Sequence, residues 1–154
     1  NSPGFGHPFQ EINVGWVLEG TFCGVSGWYT YQGDDFRDTD WFIVRKATPD
    51  PVEVILDAEE ETYLLELFPQ DCDVVEVEQS VTAGPCLEAT MLVWGYQEGQ
   101  EIWLWVGPTT FQPPGQHPTP YEYDYVLWLS GIWLEPESVA TERATWGAVK
   151  SLYR

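Results

Sequence analysis

Four aspartates crowd into a short stretch of this chain and are the residues best suited to hold a metal ion. They stand within the seven residues from 34 to 40, as Asp34, Asp35, Asp38 and Asp40. A hard cation such as Ca²⁺ takes roughly six to eight oxygen ligands, and clustered aspartates in a loop supply them. The spacing differs from that of an EF-hand, which needs a glycine at the sixth loop position and a glutamate at the twelfth. Calcium is therefore the one cofactor that the sequence suggests; the alternative is that these carboxylates cap turns and pair with Arg37.

Two tryptophans in the most apolar stretch are the second candidate binding feature. Trp103 and Trp105 are two positions apart, so they share one face of a strand, whereas Ile102, Leu104 and Val106 take the other face. One of these two faces must contact the core. If the tryptophans point outward, they form an aromatic platform of the kind that binds sugars or a second subunit. If they point inward, they are core residues.

Residue patterns for catalysis are missing from the sequence. The two histidines, His7 and His117, both lie in segments rich in proline and glycine. No G-x-S-x-G nucleophile motif, H-E-x-x-H zinc motif or C-x-x-C pair occurs. Acidic residues are so frequent that the carboxylate pair of a glycosidase could not be located among them. The sequence therefore predicts a protein that is not an enzyme.

Length, charge and cysteine content narrow the class of protein further. The chain has 154 residues and a formal net charge of −19, which fits one domain and disfavours nucleic acid and anionic membranes as partners. No run of about 18 apolar residues predicts membrane insertion. The chain starts at Asn1 without an initiator methionine, and it holds three cysteines. We therefore expect a secreted, extracellular protein whose signal peptide has been removed, with one disulfide and one further cysteine.

Strand and turn signals indicate an all-β fold. Short aromatic and β-branched segments recur at intervals of roughly ten residues, with glycine and proline turns between them. The glycines between positions 20 and 27 predict a turn, and Gly131 predicts the end of the last strand. The predicted architecture is an antiparallel, jelly-roll-like β-sandwich over residues 11–135. An extended N-terminal arm of residues 1–10 precedes it, and a short basic tail of residues 136–154 follows it.

Three short motifs resemble the bacterial pre-peptidase C-terminal (PPC-like) β-sandwich domain of secreted proteins. Asp38-Thr39-Asp40-Trp41-Phe42 resembles the beginning of an early strand in that family, residues 100–108 resemble a late strand, and residues 123–127 resemble the final strand. The motifs occur in the family's order and span about residues 15–133. The resemblance implies a β-sandwich and an accessory role beside secreted hydrolases.

The same resemblance places a disulfide between Cys72 and Cys86. Such a bridge would close a loop of about 15 residues, for which the chain-entropy relation gives a stabilisation of roughly 3 kcal/mol. Cys23 then remains, either as a buried free thiol or as one half of a bridge between two chains.

Both ends of the chain carry features of a self-associating subunit. Near the N-terminus, four apolar residues alternate in the pattern of a half-buried strand, which could pair in its own domain or with a neighbour. These residues are Ile12, Val14, Trp16 and Leu18. Residues 138–154 hold three of the six basic residues and one acid, so the tail should dock on an acidic body. The predicted interface residues of the tail are Trp146, Tyr153 and Arg154.

Together these features predict a secreted structural protein, a self-associating subunit of an extracellular filament or surface assembly that exchanges strands or tails between copies. The alternative is an extracellular module that binds carbohydrate or another polymer, with a dependence on calcium. The expected partner is accordingly a second copy of the chain, and carbohydrate is the alternative partner.

Overall fold

The computed structural model describes residues 9–11, 17–68 and 75–134, with side chains from 19 to 68 and from 75 to 133. The regular elements in these ranges are strands, apart from one 3₁₀ helix at Pro114–Gln116, so the predicted all-β fold is confirmed. The strands are β1 (Phe9–Glu11), β2 (Val17–Tyr31), β3 (Asp34–Asp38), β4 (Asp40–Lys46), β5 (Val52–Ala58), β6 (Thr62–Leu67), β7 (Val77–Ala83), β8 (Ala89–Val93), β9 (Glu101–Pro108) and β10 (Tyr121–Leu134).

The strands form two sheets that enclose one core. The β9 sheet has the order β1–β4–β9–β6–β7, and the β10 sheet has the order β3–β2–β10–β5–β8. Pairing is antiparallel except between β1 and β4, which run parallel from Phe9↔Trp41 to Glu11↔Ile43. Alternate residues of both sheets point inward, as period two requires. The inward residues of β5 and β9 are fully buried: Val52, Val54, Leu56, Ile102, Leu104 and Val106.

β10 joins the two sheets because it pairs in both of them. Over residues 121–130 it lies in the β10 sheet beside β2, and its residues 132–133 then pair with residues 45–46 at the edge of β4. Gly131 stands at this crossing with a φ of +78°, a conformation that glycine adopts readily and other residues rarely. The prediction that Gly131 ends the last strand is wrong, because it bends a strand that continues to Leu134.

β2 is a single strand of 15 residues, so the turn predicted between positions 20 and 27 is wrong. The glycines of β2 allow close contacts with β10. A Cβ atom at Gly24 would lie 2.2 Å from Cζ of Tyr125, and one at Gly27 would lie 2.2 Å from the backbone oxygen of Tyr121. Glycine inside a strand often marks such a close approach rather than a turn.

The predicted acidic loop is a β-hairpin. Residues 27–31 of β2 pair with residues 34–38 of β3, and the turn residues Gln32 and Gly33 have φ values of +53° and +91°. Two consecutive positive φ values are typical of the tight two-residue turn whose twist matches that of the strands. β3 is therefore an edge strand of the β10 sheet within the described residues and carries Asp34, Asp35 and Asp38, whereas Asp40 begins β4 in the other sheet.

Candidate functional site

The structure divides the four aspartates that suggested calcium between surface and interior. Asp34 and Asp35 are exposed on β3, where Asp35 accepts a hydrogen bond of 3.2 Å from Nε2 of Gln112. Asp38 is 8% exposed, and Asp40 is half-buried. Among the residues that the structure describes, no three His, Cys, Asp or Glu side chains converge to hold a metal ion. The calcium site stays a prediction.

Asp38 and Asp40 belong to a polar network at one end of the core. Oη of Tyr125 donates a hydrogen bond of 2.6 Å to Oδ2 of Asp40, and Oγ of Ser26 donates one of 2.6 Å to the backbone oxygen of Asp38. Burial raises the pKa of the Tyr125 phenol, and the nearby charge of Asp40 raises it further. These bonds tie the start of β4 to β2 and β10, so the motif stabilises the fold at this point.

Arg37 covers the predicted tryptophan platform. Its Nη1 donates a hydrogen bond of 2.8 Å to the backbone oxygen of Pro108, and its guanidinium carbon lies 5.5 Å from the ring centroid of Trp105 and 4.1 Å from that of Phe111. Trp105 is 8% exposed, and Trp103 is half-buried. Both tryptophans lie on the face of β9 that points away from the core, but Trp105 presents no open ring face on which a sugar could stack.

Replacing Arg37 by lysine should loosen the loop of residues 109–120. Lysine lacks the planar group that stacks on Phe111, and burial, which already lowers the pKa of Arg37, would also disfavour an ammonium group there. We expect Arg37→Lys to lower the free energy of unfolding by about 1–2 kcal/mol, measured by urea denaturation. The matched control is Arg45→Lys, whose ion pair with Glu101 is exposed, and its effect should stay below about 0.5 kcal/mol. Equal effects of the two substitutions would contradict this role of Arg37.

The edges of β7 and β8 form an open side of the sandwich. In the described ranges β7 pairs with β6 alone and β8 with β5 alone, so each strand has one edge without a partner strand. The two strands run side by side, because Nε2 of Gln79 donates a hydrogen bond of 2.9 Å to the backbone oxygen of Leu92. Five large apolar side chains on and beside these strands are between 42% and 64% exposed, and we call them the open-side patch: Phe68, Val75, Val77, Leu92 and Trp94.

The open-side patch gathers at one end of the two edge strands. Residues 84–88 connect the end of β7 to the start of β8, so the start of β7 and the end of β8 lie at the opposite, common end. An unpaired strand edge offers a row of free backbone groups to another chain, and proteins usually protect such edges with charges. β3 carries such charges, whereas β7 and β8 carry Glu78 together with the exposed apolar side chains of the patch. The open side is therefore the strongest candidate for a protein contact.

A groove of about 520 Å³ lies on the outer face of the β10 sheet. Trp128 and Ile55 are cross-strand neighbours there and form its apolar floor. Thr21 of β2 pairs with Trp128 from the other side. In the next row, Ser130 pairs with both Glu19 and Glu53, whose side chains are exposed. The groove thus combines an indole, two hydroxyls and two carboxylates.

Aromatic rings also stack beside the loop of residues 109–120. The His117 ring lies 4.5 Å from that of Tyr121 at an angle of 4°, and Tyr121 lies 5.7 Å from Trp28. Oη of Tyr121 donates a hydrogen bond of 2.7 Å to Oε1 of Glu60, and this bond raises the pKa of the Tyr121 phenol. The stacking of His117 on Tyr121 holds the loop against the sandwich, and the contacts with Trp28 and Glu60 fix the position of Tyr121.

Several predicted site residues lie outside the described residues. They are Cys72, Ile12, Val14, Trp16, Trp146, Tyr153 and Arg154, and the side chain of Leu18 is likewise not described. Cys86 is exposed in a turn with a φ of +62°, and the predicted bridge to Cys72 stays a prediction. Cys23 is exposed on β2, so the expectation of a buried thiol is wrong.

Trp94 and Trp128 are not among the predicted site residues. The sequence around Trp94 indicates which side chains face outward, whereas the sequence around Trp128 does not. In residues 89–94, buried positions alternate with Thr90, Leu92 and Trp94, so a reading with period two could have placed Trp94 outside. Trp128 stands between Leu127 and Leu129 in a continuous apolar run. Such a run hides which face of the strand is buried, and the sequence offered no signal for the groove.

No protein-family model matches the chain, and no curated protein matches it in sequence. The resemblance to the PPC-like domain therefore stays a prediction. In the described part of the chain, no helix has the length and apolar character to cross a membrane. Among solved structures, the chain is similar to Aeromonas hydrophila PliG, a periplasmic lysozyme inhibitor of g-type lysozyme, with a TM-score of 0.47 and 11% sequence identity over 79% of this chain and 96% of that chain.

Proposed function

We propose that this protein is a secreted, non-enzymatic structural subunit that associates with further copies of itself in an extracellular filament or surface assembly. The observation that carries the proposal is the open-side patch on two strand edges that have no partner strand within the described residues. Exposed apolar side chains beside an open strand edge are unfavourable in water and favourable beneath a second chain. A contact between copies would cover them.

The N-terminal segment of a second copy is the proposed occupant of the open side. Within one chain, residues 9–11 already add a strand to the edge of β4, although through only three register pairs. Adding a strand to an exposed edge supplies backbone hydrogen bonds for affinity and side-chain pockets for register. The apolar positions Ile12, Val14 and Trp16 stand between β1 and β2 in the sequence, and Leu18 lies within β2, so donation of this segment to a second copy would release β1 from β4.

The charge of the chain sets the conditions for assembly. Copies with a net charge of −19 repel one another, so association should be weak at low salt and stronger when the charges are screened. The screening length falls to about 8 Å at physiological ionic strength. Tests of assembly therefore belong at that ionic strength or above.

A lysine on the open edge should prevent assembly. Val77 and Val25 are both valines on strands and are both 48% exposed, but only Val77 belongs to the open-side patch. We expect the wild type and Val25→Lys to form large assemblies and Val77→Lys to remain monomeric, because a charged side chain on an edge opposes strand addition. Light scattering across a concentration series, with negative-stain microscopy of the largest species, measures the outcome.

This experiment distinguishes a wrong proposal of self-association from a wrong choice of the contact surface. A wild type that stays monomeric at high concentration and salt would reject self-association altogether. Assemblies of equal size from both lysine variants would keep self-association but move the contact away from the open side. The alternative function, a module that binds an extracellular polymer, would use another surface, and the groove around Trp128 is the feature that favours it.

A further inference from the structure

We propose that the groove on the outer face of the β10 sheet binds a glycan that carries no acidic groups. The groove has a volume of about 520 Å³ and is open to solvent rather than enclosed, so it would hold a ring on the surface of the sheet. It lies on β2, β5 and β10, and these strands are paired over most of their length. The site is therefore built on the rigid part of the molecule.

The lining of the groove matches the chemistry of a sugar ring. A pyranose has an apolar face that packs on an aromatic ring, and Trp128 with Ile55 supplies such a floor. A sugar also has a rim of hydroxyls, each of which donates and accepts hydrogen bonds. The carboxylates of Glu19 and Glu53 can accept from that rim, and the hydroxyls of Thr21 and Ser130 can do both. Bonds to the two carboxylates would be strengthened by their charge.

Charge narrows the class of glycan. The groove holds two carboxylates, and no lysine or arginine lines it in the described part of the chain. The described bases act elsewhere: Arg37 bonds to Pro108, Arg45 bonds to Glu101, and Lys46 is 4% exposed. Together with a net charge of −19, this repels uronic acids and sulfated sugars. Neutral hexoses and amino sugars remain.

A basic peptide is the competing ligand, and the groove favours the sugar. A lysine or arginine could stack on Trp128 and pair with Glu53. Its side chain would, however, offer only donors, so that the hydroxyls of Thr21 and Ser130 could donate to such a ligand only through its backbone carbonyls. The mixture of hydroxyls and carboxylates beside an indole suits a ring whose hydroxyls both donate and accept.

Calorimetric titration of the full-length protein tests this assignment. The probes are cellohexaose, chitohexaose, a fully deacetylated chitosan oligomer, a polygalacturonate oligomer and a synthetic peptide of residues 138–154. We expect at least one of the first three to bind at millimolar concentration or below and the polygalacturonate not to bind. Trp128→Ala and Glu53→Gln should each weaken binding by about tenfold or more, since about 1.4 kcal/mol is lost with each such contact. Thr21→Tyr, which fills the groove from an exposed position, should also abolish binding.

Tyr31→Ala is the matched control, because Tyr31 is 57% exposed outside the groove, and it should leave affinity unchanged. If Trp128→Ala does not fold, Glu53→Gln and Thr21→Tyr carry the test. The proposal is overturned if none of the three sugars binds, if the polygalacturonate binds as well as they do, or if the peptide alone binds in a manner that depends on Trp128. It does not depend on assembly through the open side.

Discussion

Replacing Gly27 by alanine should lower the free energy of unfolding by about 3 kcal/mol or more, which is at the upper end of what overpacking costs. The added Cβ would lie 2.2 Å from the backbone oxygen of Tyr121 and 2.9 Å from Cα of Glu122. Both atoms belong to the backbone of β10, which is held between β2 and β5. Relief would require the two strands to separate, and their ladder of hydrogen bonds opposes that movement. Urea denaturation measures the change.

Gly84→Ala is the control for this substitution. The atom nearest to a Cβ at Gly84 is Cα of Glu61, at a distance of 4.0 Å, so alanine fits there. Gly84 is buried, but the added methyl group meets no atom closer than 4.0 Å, so its effect should stay within about 0.5 kcal/mol of the wild type. Gly24→Ala should be intermediate, because its Cβ would meet the side chain of Tyr125 rather than backbone. A Gly27→Ala protein as stable as Gly84→Ala would show that the two strands are farther apart than described.

The protein should lose stability steeply above pH 10. Burial raises the pKa of Tyr96, Tyr123 and Tyr125 above the ordinary value of about 10, and Glu66 and Asp40 add to the effect at the first and the last of these. Below pH 10 these phenols are protonated in both the folded and the unfolded chain. Above it, the unfolded chain releases protons that the folded chain keeps, so unfolding is favoured. The slope is about 1.4 kcal/mol per pH unit for each tyrosine.

Comparison of variants isolates this effect from general charge repulsion. Tyr125→Phe removes one buried phenol, so its stability should fall with pH less steeply than that of the wild type, by about 1.4 kcal/mol per pH unit. The same variant should be less stable at neutral pH by about 1–3 kcal/mol, since it leaves the Asp40 carboxylate without the phenol donor. Tyr31→Phe, at a side chain that is 57% exposed, is the control. Parallel stability curves for Tyr125→Phe and the wild type above pH 10 would refute the assignment.

Much of the fold could be predicted because periodicity reports burial directly. Residues 101–108 form the predicted strand, and of the two faces that the sequence left open the structure buries the one with Ile102, Leu104 and Val106 in the core. Glycine was misleading because it has two uses. Gly24 and Gly27 make room for a neighbouring strand, and Gly131 bends a continuous strand, whereas sequence rules treat all three as stops. Which use applies depends on the partner strand, which is about 100 residues away along the chain.

The candidate surfaces were less predictable than the fold for a related reason. The acidic stretch was conspicuous in the sequence, yet the Asp40 carboxylate accepts a hydrogen bond from the Tyr125 phenol and stabilises the fold. Trp105 shares a face with Trp103 as expected, but the guanidinium of Arg37, a residue of the other sheet, lies over the Trp105 ring. The open-side patch and the groove depend on the positions that β7, β8 and β10 take in the order of strands. Strand order is a property of the whole chain, and local patterns do not encode it.

The two margins of the β9 sheet are different, and this difference gives the molecule a polarity. β1 and the last residues of β10 border β4 at one margin, and β7 forms the other. A row of copies joined across these unlike margins would have two distinguishable tips. A copy with a damaged β7 margin could still attach through its N-terminal segment while offering nothing to the next copy. It would end the row to which it attached. The mean length of the rows should therefore fall as the mole fraction of the damaged copy rises.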